Sequence, residues 1–176
     1  TIGQPAKRLT VIEEITEKNG RSGQLVFLRE RSEITDENGG SLIDRRTIVF
    51  RADAGQSEAP KVSPARTDAA WQQKVEPDPV LLFRYSALTF NSHRIHYDRE
   101  YTTGVEGYPA LLVHGPLTAT LLMNLLRQEM PTAMVRDFNV RAMAPLFDNK
   151  SFSVNGKPTE DGTAVHLWAA TAEGDL

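Results

Sequence analysis

Alternating apolar and polar positions mark three strands near the start of the chain. The alternation runs through "RLTVIEEITEKNG", "GQLVFLRERSEIT" and "SLIDRRTIVFRA", which begin at residues 8, 23 and 41. The stretches "NGRSG" and "DENGG" separate them and are rich in turn-forming residues. This pattern predicts an antiparallel meander of three strands. A meander of this kind buries one face, and no helical pattern lies within it, so we expect its cover to come from elsewhere.

Helical spacing replaces the alternation later in the chain. "PVLLFRYSALTF" (79–90) has its periodic positions three or four residues apart, with Pro79 in the first turn, and predicts a short helix. "HGPLTATLLMNLLRQEMP" (114–131) predicts a second helix that starts at Pro116 and stops before its final proline. Leucine and methionine cover most of its circumference. We therefore expect this helix to be buried on nearly every side, with its polar tail "RQEM" reaching solvent.

The remaining patterns complete an α+β organisation. "MVRDFNVRAMAPL", "KSFSVNGKP" and "AVHLWAATAEGDL", which begin at residues 134, 150 and 164, are strand-like. Residues 53–78, rich in Pro, Ser, Ala and charge, predict a linker that runs over the surface. A buried helix followed by a meander is typical of a sheet wrapped around a helix. We predict two related halves: residues 1–52 end an incomplete first half, and residues 79–176 form the second.

Composition narrows the range of partners. The 176 residues are 40% hydrophobic, enough for an ordinary core, and no apolar stretch approaches the roughly 20 residues that span a bilayer. The net charge of −3 is spread along the chain and gives no reason to expect nucleic acid or a membrane surface as partner. The absence of cysteine excludes disulfides, thiolate metal sites and cysteine nucleophiles, and fits a cytoplasmic location. Because the chain starts at Thr1, we expect it to be a fragment or a processed product.

Residues 80–126 carry a resemblance to a known family. "LFRYSALTFNSHRIHYDREY" and "EGYPALLVHGPLTATLL" resemble the motif region of the MaoC-like, hot-dog-fold thioester hydratases and dehydratases, in particular the mesaconyl-CoA or itaconyl-CoA hydratases and the mitochondrial type 2 dehydratases. "EKNGRSGQLVFL" and "RRTIVFRA" resemble the end of an N-terminal hot-dog half in that family. The resemblance implies a hot-dog fold, in a double hot-dog whose N-terminal half is incomplete here.

The resemblance also implies an activity. Members of the family reversibly hydrate α,β-unsaturated acyl thioesters of coenzyme A, which predicts that this chain is a hydro-lyase that needs no metal or redox cofactor. The acyl-CoA or acyl carrier protein thioester binds as substrate. Hot-dog sheets pair edge to edge in the family, which implies a homodimer or a pseudo-dimer of hot-dog halves. If the source is eukaryotic, the resemblance implies a location in the mitochondrial matrix.

The chain departs from the family motif at one functional position. The usual pattern has an aspartate five residues before a histidine, with Asn-Pro between them. Here Asn91 falls on the aspartate position, His96 on the histidine, and His93 and Arg94 replace Asn-Pro. A histidine titrates near neutral pH and suits proton transfer, whereas an asparagine does not titrate but can hold a water by hydrogen bonds. We predict His96 as the general acid/base and Asn91 as the residue that orients the water.

"VHGPL" supplies the third requirement, which is stabilisation of the enolate-like oxygen. Gly115 directly precedes the predicted buried helix, where free N–H groups and the helix dipole favour negative charge. In the resembling enzymes this glycine donates its N–H to the thioester carbonyl, and the resemblance carries that role to Gly115. Gly115 could instead be only a tight entry to the helix. The adjacent His114 and Pro116 are expected at the substrate pocket, although His114 could simply pack at the helix start.

Two arginines raise the question of a second carboxylate on the substrate. Arg84 or Arg94 could bind it through paired hydrogen bonds, as expected for a mesaconyl or itaconyl group. The alternative is an ion pair with a neighbouring acid, for which the candidates are Asp98, Glu100 and Glu106.

Other interpretations of the motif stay open. A zinc site formed by His93, His96 and Asp98 has no cysteine or distant ligand to support it. His166 alternates with apolar neighbours and is predicted to be structural. Three rival functions stay open. One is a 3-hydroxyacyl-ACP dehydratase, and another is a non-catalytic acyl-thioester-binding subunit, which the change to Asn91 leaves open. The third is thioester hydrolysis, for which the sequence marks no acid.

Overall fold

The computed structural model describes residues 3–20, 23–51 and 63–174, and the chain divides into two units between residues 59 and 60. Within the described residues, the first unit consists of strands alone, and the second combines strands with helices. In that described part of the chain no helix is long and apolar enough to cross a membrane.

The first unit is the predicted meander. Strands β1 (Ala6–Gly20), β2 (Gly23–Asp36) and β3 (Ser41–Arg51) form one antiparallel sheet in the order β1-β2-β3. The Asp36 carboxylate accepts the N–H groups of Asn38 at 2.9 Å and Gly40 at 2.8 Å, which closes the turn between β2 and β3. The three predicted strands are confirmed.

A β-bulge decides which side chains share a face of this sheet. The register between β1 and β2 shifts between Ile12 and Glu14, so Ile12 and Ile15 lie on the same face although they are three positions apart. Phe50 of β3 lies on that face too, and the three side chains are 57%, 64% and 55% exposed. That these strands end a first hot-dog half, and that something else covers this face, stay predictions.

The second unit is a sheet packed on a helix. Strands β4 (Trp71–Val75), β5 (Phe152–Pro158) and β6 (Val165–Thr171) form an antiparallel sheet in the order β4-β5-β6. All three strands contact α3, which spans Gly115–Glu129. The strands predicted from residues 150 and 164 are confirmed as β5 and β6.

Strand β4 lies inside the predicted linker, so the linker prediction is wrong for residues 71–75. Only Trp71 and Val75 of its five residues face the core, which leaves too short an alternation to recognise. Trp71 pairs with Gly156 of β5, and a Cβ at that glycine would lie 2.7 Å from the Trp71 ring. The missing side chain makes room for the indole, so the pairing depends on a residue far away in sequence.

Helix α3 confirms the predicted helix but not its predicted burial. Leu117, Leu122 and Leu125 are buried in one core cluster with residues of the sheet, and Leu126 is buried as well. A polar stripe at Thr120, Asn124 and Arg127 is exposed, so the expectation of burial on nearly every side is wrong. These polar residues recur every three or four positions and therefore share one face of the helix. The polar tail of the helix is exposed, as predicted.

The segment after α3 contradicts the strand predicted from residue 134 to residue 146. Residues 131–146 contain no helix or strand, and the first ladder contact beyond them is a bridge between Leu112 and Phe147. Met134 is 92% and Val140 is 59% exposed. Alternation alone did not make a strand, because none of the strands in the described residues pairs with this segment.

Helix α1 (Pro79–Thr89) confirms the helix predicted over 79–90, and its ends are defined by specific contacts. Asp78 caps it by accepting the Leu81 N–H at 2.7 Å, with Pro79 in the first turn. Phe90 ends the helix in the left-handed conformation, with φ of 54°. The chain then reverses, and Asn91 donates its N–H to the Ser86 carbonyl at 2.9 Å. This reversal starts the loop that carries the motif.

Candidate active site

His96 lies at the end of a short 3₁₀ turn, Arg94–His96, and its side chain is held by one ring nitrogen. Nδ1 lies 2.8 Å from the Leu112 carbonyl oxygen, which can only accept, so Nδ1 carries the proton and donates. Nε2 therefore holds the lone pair of the neutral ring, and it has no hydrogen-bond partner among the described residues. His96 is 8% exposed. The arrangement presents Nε2 as a base.

The segment that holds His96 is itself fixed on both sides. Leu112 donates its N–H to the Ile95 carbonyl at 3.0 Å, and Val113 donates to the Leu146 carbonyl at 2.8 Å. The buried carboxylate of Asp148 accepts the Leu111 N–H at 3.0 Å. Because these bonds secure the backbone of residues 111–113, the carbonyl that orients His96 has a fixed position.

His114 ends this segment and lies against His96. The two imidazole rings stack with their centroids 3.7 Å apart and an interplanar angle of 18°. His114 Nε2 is 2.8 Å from Ser86 Oγ, and the Tyr85 ring meets the His114 ring edge-on at 4.9 Å. His114 is 1% exposed. The motif loop, helix α1 and the start of α3 therefore meet at these two rings.

Burial keeps both imidazoles neutral at physiological pH. Burial, with a smaller contribution from the charge of the neighbouring His96, lowers the pKa of His114 to about 4. Burial is also the main cause that lowers the pKa of His96; the Leu112 carbonyl opposes this shift and the nearby His93 adds to it. The His96 ring is therefore in its basic form when it meets a substrate.

Gly115 opens helix α3 directly after His114. Its N–H has no acceptor among the described residues, as is usual in the first turn of a helix. Its φ is not positive, and a Cβ added there would meet no atom within 4 Å. Neither backbone conformation nor packing within the described protein therefore requires a glycine. This counts against the reading of Gly115 as a tight entry to the helix and favours close approach of a ligand. Pro116, the next residue, is exposed in the same turn.

Asn91 shapes the loop between α1 and His96. Its side-chain oxygen accepts the His93 N–H at 3.0 Å, and a carbonyl oxygen can accept a second hydrogen bond. An open cleft of about 450 Å³ lies beside it. The residues that line this cleft are Asn91, Ser92, His93, Arg94 and Tyr101.

The two candidate arginines occupy different places. Arg94 lines the cleft, with its guanidinium 3.9 Å from the Tyr101 ring centroid and 2.7 Å from the Asp98 carboxylate. The Asp98 carboxylate also caps α2 (Arg99–Gly104) by accepting the Tyr101 N–H. The ion pair with Asp98 is the alternative that the sequence left open for Arg94. Arg84 is exposed on α1, does not line the cleft, and has no hydrogen bond or ion pair with another described residue.

The described residues offer little support for a metal site at the motif. Among residues 3–20, 23–51 and 63–174, no three His, Asp or Glu side chains form a group that could hold a metal ion. His96 Nδ1 is bonded to a carbonyl and Asp98 is paired with Arg94. The zinc interpretation of His93, His96 and Asp98 therefore has no geometry behind it.

Comparison with known proteins decides the family. A family model described as hydroxyacyl-thioester dehydratase type 2 matches residues 1–148. The chain belongs to this family. This family member is 46% identical to the mesaconyl-C(4)-CoA hydratase of Chloroflexus aurantiacus over 174 residues, which cover 98% of the chain and 61% of the relative. It is 38% identical over 80 residues to the mitochondrial hydroxyacyl-thioester dehydratase type 2 of Schizosaccharomyces pombe, covering 44% of the chain and 27% of that protein.

Solved structures identify the fold of this type 2 dehydratase family member. The peroxisomal multifunctional enzyme type 2 of Drosophila melanogaster matches with a TM-score of 0.67 at 16% identity, over 97% of the chain and 32% of that protein. A MaoC-like dehydratase from Phytophthora capsici matches with a TM-score of 0.64 at 17% identity, over 96% and 60%. The predicted α+β hot-dog fold is confirmed. The chain spans less than two thirds of the length of each of these relatives.

Three residues of the site escaped prediction as site residues. Ser86, on helix α1, is a buried residue whose hydroxyl is hydrogen-bonded to His114. A polar side chain on the apolar stripe of α1 was the signal that could have marked it. Leu112 acts through its backbone and Asp148 through a distant loop, so neither leaves a signal in the side-chain pattern.

Proposed function

We propose that this chain catalyses the reversible addition of water to an α,β-unsaturated acyl thioester of coenzyme A. One observation carries the proposal. His96 stacks on His114, and the peptide bond between His114 and Gly115 carries the Gly115 N–H. A base and an oxyanion donor therefore lie next to each other. A hydratase needs these two groups on one substrate.

The groups have separate tasks in the reaction. His96 Nε2 takes a proton from water while the water oxygen bonds to the β-carbon of the enoyl group. The electron pair of the carbon–carbon double bond moves toward the thioester oxygen, which accepts the Gly115 N–H at the positive end of α3. The imidazolium returns the proton to the α-carbon, so no group is consumed. Asn91 holds the water through the free lone pair of its side-chain oxygen.

We further propose that the acyl group of the substrate carries a second carboxylate at the end away from the thioester. The C. aurantiacus relative is named for a mesaconyl-CoA, and Arg94 lies in the cleft beside Asn91. Its guanidinium, which is half-exposed, can exchange Asp98 for a substrate carboxylate. We also propose that the chain works as a homodimer or as a pseudo-dimer of hot-dog halves, with the pantetheine arm between them.

Two assays on the same protein test the activity. Crotonyl-CoA and mesaconyl-CoA are incubated with the chain while the absorbance of the conjugated enoyl thioester and the release of free thiol are followed. We expect absorbance to fall without thiol release. Thiol release would indicate hydrolysis instead. Binding of either thioester without loss of absorbance would indicate a non-catalytic acyl-thioester-binding subunit, and both outcomes would overturn the proposal.

A further inference from the structure

His114 is a buried imidazole that the reaction just described does not use. It is 1% exposed, and its Nδ1 is buried without a hydrogen-bond partner among the described residues. An unpaired polar atom in an apolar setting destabilises a fold, so packing alone would favour an apolar side chain here. The ring contacts His96, Ser86 and Tyr85. Its role is therefore to be sought in what it does to His96.

We propose that His114 is a positioning residue: its ring is the plane against which His96 lies, and Ser86 fixes the orientation of that plane. The inference rests on the proposed function, in which His96 transfers the proton. It assigns to His114 no contact with the reacting atoms.

Geometry gives the first reason. The Nδ1 bond to the Leu112 carbonyl fixes only one edge of the His96 ring, which is left free to tilt about that bond. Stacking on His114 at 3.7 Å removes the tilt and fixes the direction of Nε2. The position of a base relative to its water matters, because a misplacement of about 1 Å can lower a rate by about 100-fold.

Helix α1 fixes the His114 plane in turn. Ser86 Oγ is 2.8 Å from His114 Nε2, and Tyr85 on the same helix meets the ring edge at 4.9 Å. The Ser86 hydroxyl can accept from Nε2–H or donate to Nε2, so it holds the ring by this bond in either neutral tautomer. A phenyl ring at this position would keep the stack and lose the bond to Ser86.

Charge gives the second reason. During the reaction His96 becomes an imidazolium, and a neutral aromatic face is a favourable neighbour for it, whereas a second cation is not. Burial holds the pKa of His114 at about 4, so it is the neutral member of the pair. The titratable groups that face the two rings are His93, edge-on to His96, and Tyr85, edge-on to His114.

Substitutions at His114 distinguish the effect of its flat ring, which stacks on His96, from the effect of its hydrogen bond to Ser86. His114→Phe keeps a flat ring, and we expect kcat within about threefold of wild type, whereas His114→Leu loses the plane and lowers kcat about tenfold or more with KM unchanged. His166→Leu is the matched control, since His166 is exposed on β6, and should keep wild-type kinetics. The inference would be overturned if His114→Phe and His114→Leu lowered kcat equally, or if His114→Leu changed KM and left kcat unchanged.

Ser86→Ala tests the bond that fixes the plane. In the wild-type background we expect it to lower kcat a few-fold, because His114 loses its Nε2 partner. In the His114→Phe background it should have no effect, since a phenyl ring makes no such bond. Additive losses in the double variant would show that Ser86 acts independently of His114.

A spectroscopic test does not depend on turnover. Long-range ¹H–¹⁵N correlation spectra of the full chain, which has four histidines, report the tautomer of each neutral ring. The Leu112 carbonyl should keep His96 protonated at Nδ1 in all three proteins. We expect sharp His96 ring signals in wild type and in His114→Phe, and broadened signals in His114→Leu, because the unstacked ring samples more than one tilt. Equally sharp His96 signals in His114→Leu would refute the positioning role. By contrast, a His96→Ala variant with full activity would refute the proposed function and leave the ring geometry standing.

Discussion

His96 and His114 stack ring on ring at 3.7 Å, although they are carried by a 3₁₀ turn and by the start of a different helix. The backbone of residues 111–113 connects them, because the Leu112 carbonyl accepts a hydrogen bond from His96 Nδ1–H and the chain then leads to His114. A single short segment therefore sets the base, the ring beside it and the N–H of Gly115. The testable consequences concern these groups in turn.

Gly115→Ala should separate stability from activity. Since a Cβ there meets no atom within 4 Å, we expect the free energy of unfolding to be unchanged or raised by up to about 1 kcal/mol. The same methyl group occupies the space in which the thioester oxygen approaches the N–H, so kcat/KM should fall about 10- to 100-fold. Gly104→Ala is the control, because that glycine is equally open and lies at the end of α2. Equal activity of the two variants would remove the oxyanion role.

Asn91 can be tested by removing its polarity and by adding a charge. Asn91→Leu should lower kcat about 10- to 100-fold, because the water loses its acceptor and the loop loses its bond to the His93 N–H. Asn91→Asp restores the usual family residue, and its negative charge should raise the pKa of His96. The acidic limb of the kcat/KM profile would then move to higher pH. A limb that stays in place would show that residue 91 lies too far from the imidazole to act on it.

The sequence predicted elements well where a local pattern is sufficient. The meander, α1 and α3 follow from periodicity, from Pro79 and Pro116 in first turns, and from turn residues between strands. Trp71–Val75 was missed because that strand is defined by its pairing to Gly156, and residues 134–146 were wrongly predicted as a strand because alternation needs a partner. Local pattern carries no information about partners distant in sequence.

The site shows the same division. His96 and Gly115 were selected because a family motif marks them, and in the structure His96 stacks on His114, the residue that precedes Gly115. The bond from His96 to the Leu112 carbonyl and the one from Ser86 to His114 join distant parts of the chain. Only the folded arrangement makes such contacts visible, so the role of His114 could not be inferred from its position beside a glycine.

Acid should destabilise the fold partly through His114. Its pKa is about 4 when folded and about 6.5 in an unfolded chain, so between these values the unfolded state binds a proton that the folded state does not. The free energy of unfolding should therefore fall with falling pH, by up to about 1.4 kcal/mol per pH unit from this group.

Denaturant unfolding of wild type and His114→Phe, from about pH 7.5 to about pH 4.5, measures this difference. The variant should show a shallower loss of stability, because it takes up one proton fewer on unfolding. Curves that run parallel across the whole window would contradict the burial of an unprotonated imidazole at position 114.

Arg94 tests the finer substrate proposal. Arg94→Met should lower kcat/KM for mesaconyl-CoA about 10- to 100-fold more than for crotonyl-CoA, because only the former offers a second carboxylate for a charge-assisted hydrogen bond. Arg84→Met, measured in parallel, should show no such preference, since Arg84 does not line the cleft. If Arg94→Met weakened both substrates equally, its pair with Asp98 would be structural.

The most direct test of the account is the rate of enoyl-CoA hydration by His96→Ala beside His166→Ala. His96→Ala removes the group that moves the proton, and we expect kcat/KM to fall about 100- to 10,000-fold, whereas the exposed His166 can be replaced without effect. Circular dichroism would establish that both variants are folded. A His96→Ala protein that hydrates crotonyl-CoA or mesaconyl-CoA at the wild-type rate would contradict the central claim, because the proton would then be moved by another group.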